Sequence, residues 1–168
     1  MLLTSNKSDI DRLLGKPLMS RNIFGLAGER AFKYRQGDFD IVVGFLNEVA
    51  RYCASVRRSG PLKELSPSEL AIVLSLNAPA ALWTVEMSEA PAKAARTTAR
   101  GRAAKSTPPL RTTYLRYVER DPKIKDKVLF EIQGWMPARK AYAFFCLPAM
   151  DGQPPLLASE WAVNQALG

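Results

Sequence analysis

The chain has 168 residues, 24 Lys and Arg against 16 Asp and Glu, 47% hydrophobic residues and no histidine. Such a length and balance predict a single domain, 1–168, that buries a core without metal or disulfide staples. The absent imidazole excludes Ser-His and Cys-His nucleophile pairs, His-ligated zinc and histidine-based nucleases.

Cys53 and Cys146 are far apart and read as reduced core thiols. Met1-Leu2-Leu3 runs straight into Thr4-Ser5-Asn6-Lys7 with no secretory h-region. The longest apolar stretch, Leu70 to Trp83, is interrupted by Asn77 and Pro79, so no integral membrane segment is expected. The expected location is the cytoplasm, with a peripheral place at the inner membrane left open.

In chain order, Ser8-Asp9-Ile10-Asp11 predicts a two-turn helix capped by Ser8, with Gly15 and Pro17 ending it. Leu18 to Val43 favours strands, with a turn at Gln36-Gly37-Asp38. After Asp40, the spacing of Ile41, Phe45, Val49, Tyr52, Cys53 and Val56 predicts a helix running to Arg58. Ser66-Pro67-Ser68-Glu69 is a capping box with proline at the first helical position, and predicts a helix from Pro67 to about Leu76. Ala81 to Met87 reads as a strand.

The segment 89–109 is built of Ala, Lys, Arg, Thr, Pro and Gly, which predicts a flexible basic loop. Further on, Thr112–Glu119, Lys127–Gln133 and Arg139–Leu147 read as strands of an antiparallel meander, with a turn at Gly134 to Pro137. Ser159 would cap a short last helix. The expected fold is α+β: a small mixed or antiparallel sheet packed by two main helices, at Asp40–Arg58 and Ser66–Leu76.

Charge is concentrated. Between Ala90 and Arg111 lie Lys93, Arg96, Arg100, Arg102, Lys105 and Arg111 with no acid, leaving +2 of the net +8 for the other 146 residues. Loosely spaced Lys and Arg suit phosphate neutralisation, so DNA is the expected partner. Tyr114-Leu115-Arg116-Tyr117 and Arg139-Lys140-Ala141-Tyr142 interleave basic and aromatic residues. Strand alternation would set Tyr114, Arg116 and Lys140 on one open face, as in single-strand binders, or would turn the aromatics into the core. Glu131, flanked by apolar strand residues with Gln133 beyond it, suggests with Asp121 and Lys127 a carboxylate site that could hold Mg²⁺. The alternative is a solvated carboxylate on an ordinary strand.

Gly25-Leu26-Ala27-Gly28-Glu29-Arg30-Ala31 is the sharpest short motif. It is similar to the Gly-Glu-Arg box of the ParB/sulfiredoxin-like superfamily, and the chain resembles that superfamily's plasmid fertility-inhibition proteins of the oncogenic-suppression type. The resemblance implies a glycine turn after which Glu29 and Arg30 open a helix at a nucleotide phosphate, with Gly28, Glu29 and Arg30 binding nucleotide such as ATP. It also implies a nucleotide- and DNA-hydrolysing activity, for which Glu29 of the box, with Asp121 and Glu131 of the separate carboxylate pattern, are the candidate acids. Ala31 stands where such boxes carry a second arginine, and a hairpin turn with both charges solvated is the alternative. The leading expectation is a DNA-associated regulatory protein that blocks conjugative DNA transfer. A histidine-free ATPase/DNase, or a non-catalytic inhibitor binding a protein of the transfer apparatus, are the other classes.

Overall fold

The stretch after Asp40 folds as a β-hairpin, not a helix. Strand β3 (Phe39–Leu46) turns at Asn47 and Glu48 into β4 (Val49–Arg57). Both turn residues are left-handed, at φ 51° and 66°, which matches the twist of two antiparallel strands. The helical spacing misleads because β3 is buried from Phe39 to Phe45, on both faces of the sheet. A strand buried on both sides loses its polar alternation, and its apolar run then fits any period.

The computed structural model describes residues 1–23, 25, 27–60, 63–78, 82–89, 111–137 and 140–148. The other elements are α1 (Lys7–Leu14), β1 (Met19–Arg21), β2 (Glu29–Gln36), α2 (Pro67–Asn77), β5 (Thr84–Glu89), β6 (Arg111–Arg120), β7 (Val128–Pro137) and β8 (Tyr142–Cys146). All eight strands form one antiparallel sheet in the order β1-β2-β3-β4-β8-β7-β6-β5. The expectation of an α+β sheet packed by two main helices is therefore corrected: the described chain is predominantly β, with two short helices. A helix followed by a four-strand meander occurs twice, and β4 and β8 meet at the centre of the sheet.

Both helices are capped as their sequences require. Asn6, rather than Ser8, caps α1 by accepting from Asp9 N, and Gly15 ends it at φ 85°. Ser66 and Glu69 form the full capping box of α2. The turn expected at Gly134 lies inside β7 instead. A Cβ there would sit 2.6 Å from the Phe145 ring, so the glycine makes room for a cross-strand aromatic. Apart from Glu89, the basic loop and the last helix lie outside the described residues.

The sheet has two distinct faces. Ile10 and Leu14 of α1, Val73 and Leu74 of α2, and the N-terminal Leu2 and Leu3 cover the first, burying Phe32, Ile41, Val43, Phe45, Cys53, Leu115, Ile132 and Phe145. On the second face a smaller cluster gathers Ala31, Val42, Tyr52, Ala54, Tyr142, Phe144 and Cys146. No described helix is long and apolar enough to cross a membrane.

Candidate anion-binding face

Strand register lays out the second face as rows. Arg35, Asp40, Val56 and Tyr142 are successive partners across β2, β3, β4 and β8. Lys33, Val42, Ala54, Phe144, Trp135 and Tyr114 form the next row. Arg58 and Lys140 each lie two residues beyond the first row, at the same end of the sheet.

Three cations meet one carboxylate there. Asp40 lies 3.0 Å from Lys33 Nζ, 3.3 Å from Arg35 Nε and 3.6 Å from Arg58 Nε. Burial pushes the Asp40 carboxyl up, but the hydrogen bonds and charges of Lys33 and Arg35 outweigh it and hold the group below its usual range. One negative charge among three positive ones leaves an excess of +2, and Lys140 lies 5.9 Å from the Tyr142 ring centre. The Arg35 and Arg58 side chains are 47% and 40% exposed, so this excess faces water.

An aromatic row runs away from the cluster. Tyr114 meets Trp135 at 5.5 Å, Trp135 meets Phe144 at 5.9 Å, and Phe144 stacks on Tyr52 at 5.9 Å. Tyr114, Arg116 and Lys140 do share one face, as the interleaved pattern suggested. That face is open only in part. Tyr114 and Trp135 are half-buried, whereas Phe144, Tyr52 and Tyr142 are buried.

The acids assigned to catalysis do not converge. Glu29 lies on β2, four strand spacings from Glu131 on β7, or about 19 Å along the sheet. Glu29 is buried and accepts from Tyr52 Oη at 2.8 Å and from Ile23 N at 3.2 Å. The Tyr52 ring reaches it by lying across Gly44, where a Cβ would fall 1.8 Å from Tyr52 Cζ. Glu131 accepts from Arg116 Nε at 2.8 Å and Gln133 Nε2 at 3.1 Å. Burial raises its carboxyl, but those bonds and the Arg116 and Arg120 charges keep it low. Asp121 shapes the turn after β6, accepting from Lys123 N at 2.9 Å and facing Lys127 at 3.4 Å.

The Gly-Glu-Arg box also departs from the implied geometry. Gly28 is left-handed at φ 75°, as a turn requires, but Glu29 and Arg30 then open strand β2 instead of a helix. Alternation sends them to opposite faces. Glu29 goes to Tyr52, and the Arg30 guanidinium lies 5.7 Å from the Phe32 ring on the first face. Neither a helix N-terminus nor a shared Glu-Arg pocket exists to cradle an ATP phosphate, and no three acidic or cysteine side chains gather as Mg²⁺ ligands among the described residues. The basic residues Lys93, Arg96, Arg100, Arg102 and Lys105 lie outside the described residues.

Sequence reasoning did not single out Lys33, Arg35, Asp40 or Arg58. The signal was the alternation of Lys33 and Arg35 along β2, legible once Asp40 was read as a strand partner. No family model, no curated protein and no solved structure matches the chain.

Proposed function

We propose that this chain is a nucleic-acid-associated regulatory protein that acts by binding, the class that includes a DNA-associated inhibitor of conjugative transfer. The observation that carries the reading is the Asp40 cluster, where three cations share one carboxylate and leave an outward-facing excess of +2. Polyanion backbones are bound by such surplus charge, and each neutralised phosphate releases counterions. The half-buried Tyr114 and Trp135 on the same face offer ring surface for unpaired bases. The basic sequence from Lys93 to Arg111 supports the same partner. Glu29, Asp121 and Glu131 hold the fold through hydrogen bonds and ion pairs, which favours binding over hydrolysis.

The test is fluorescence anisotropy with labelled single-stranded and duplex DNA across a salt series. Replacing Arg35, Arg58 and Lys140 by Ala removes three cations and leaves Lys33 on Asp40. The slope of log affinity against log salt should fall by about 2–3. An unchanged slope overturns the reading.

One observation favours a protein partner as a second reading. At the β6–β7 hairpin end, Ile124, Val128 and Leu129 are 52%, 42% and 50% exposed. Large apolar residues left exposed at one end of a hairpin can serve as contacts for a protein partner. If Ile124→Ser with Leu129→Ser abolishes transfer inhibition while leaving DNA affinity intact, a protein-binding inhibitor is the better account.

A further inference from the structure

Among the described residues, buried or partly buried acids are met by hydrogen-bond donors or cations and Arg57 by an acid, whereas one buried cation lacks a carboxylate. Glu29 has Tyr52, Asp40 has three cations, Glu131 has Arg116, and Arg57 lies 3.1 Å from Glu69. Arg51 has no such partner. It is 6% exposed, its Nη2 donates to the Pro148 carbonyl at 3.2 Å, and its Nε is buried with no acceptor. No Asp or Glu side chain among the described residues pairs with it.

Its position comes from an irregularity in the sheet. Gly44 pairs with Tyr52 and Phe45 with Ala50, so Arg51 is the extra residue of a β-bulge on β4. Bulges re-aim side chains and recur beside binding sites. This one directs a guanidinium to the end of β8, where Leu147 N donates to the Arg51 carbonyl at 2.9 Å. The neighbouring Cys146 cannot serve as counter-ion, because burial pushes its thiol up to about 12 and keeps it neutral near pH 7.

An isolated buried charge is strongly unfavourable, and a guanidinium whose Nε has no acceptor can still donate to an oxyanion. We infer that Arg51 is the receptor for an oxyanion group, a phosphate or a carboxylate, that docks at the β4 bulge beside Pro148. This site is separate from the Asp40 cluster and does not depend on the nucleic-acid reading.

Thermal unfolding of the full chain is followed while sodium phosphate, and in a second arm sodium acetate, replaces sodium chloride at constant ionic strength. A saturable rise in Tm is expected in the arm whose oxyanion is the ligand, and the two arms tell phosphate from carboxylate. Arg51→Met should weaken that response by about tenfold or more, since a charge-assisted bidentate contact is lost. Arg51→Met should also be no less stable than the parent in chloride alone, because it removes an unpaired buried charge. The Arg35, Arg58 and Lys140 triple variant should keep the full response, which separates this site from the DNA face.

Should Arg51→Met fail to fold, the parent protein still decides. Phosphate or acetate should protect Arg51 from phenylglyoxal, read by peptide mass spectrometry. Equal Tm in all three salts, or equal modification of Arg51 with and without either oxyanion, overturns the proposal.

Discussion

Gly44→Ala tests how the second face is assembled. The added Cβ would fall 1.8 Å from Tyr52 Cζ, 2.0 Å from Cε1 and 2.4 Å from Cε2, so the ring must leave its place over β3. Tyr52 is 1% exposed and its hydroxyl bonds the buried Glu29. Losing that hydrogen bond to a charged group costs about 1.5–3 kcal/mol. Forcing atoms into a filled site adds about 1–3 kcal/mol. The sum, about 2.5–6 kcal/mol, lowers Tm by roughly 5–20 °C for a chain of this size. Chemical denaturation gives the free energy and a thermal scan the shift. The cause is isolated by repeating Gly44→Ala in a Tyr52→Val background, where the substitution should cost less than about 1 kcal/mol; the difference between the two costs is the coupling of the contacting residues. A cost that is small in the parent, or equal in both backgrounds, would refute the packing of Tyr52 across Gly44.

Other outcomes follow from the charged and titrating groups. The folded Asp40 carboxyl lies below its unfolded value, so its stabilisation is present above about pH 4 and is lost as pH falls through the folded pKa. Asp40→Asn should therefore cost roughly 1–2 kcal/mol near neutrality, discounted for the exposed arginines, and the gap to the parent should close in acid denaturation curves. Burial and carboxylate acceptors push the Tyr34 and Tyr52 hydroxyls above the ordinary tyrosine range. Their stabilisation is complete below about pH 10 and lost above it, so phenolate absorbance of these two residues should appear only with alkaline unfolding. Replacing Glu29, Asp121 and Glu131 by their amides should leave the rate of Mg²⁺-dependent ATP or DNA hydrolysis unchanged from the parent; a fall in a folded variant would restore the enzyme reading.

Local signals were legible where backbone chemistry is local. Ser66, Pro67 and Glu69 announce α2 by side-chain capping alone, and the alternation from Thr112 to Glu119 announces β6. The β3–β4 hairpin was not legible. Its turn uses Asn47 and Glu48 without glycine, and burial on both faces erases the polar alternation that marks a strand. Misreading that hairpin as a helix removed Asp40 from the sheet and hid its cross-strand partners. Arg35 is only five residues from Asp40, but Lys33, Arg35 and Arg58 converge on it only once β2, β3 and β4 are read as paired strands. The Gly28 turn was legible, but whether a strand or a helix follows it depends on pairing with β3, which the box does not encode.

The salt dependence of DNA binding tests the central claim most directly. Anisotropy titrations of the parent protein should give a steep linear fall of log affinity with log salt. The Arg35, Arg58 and Lys140 triple alanine variant should lose about 2–3 from that slope, three phosphate contacts' worth. Binding that ignores salt, or a variant whose slope equals the parent's, would contradict the assignment of this face to a polyanion.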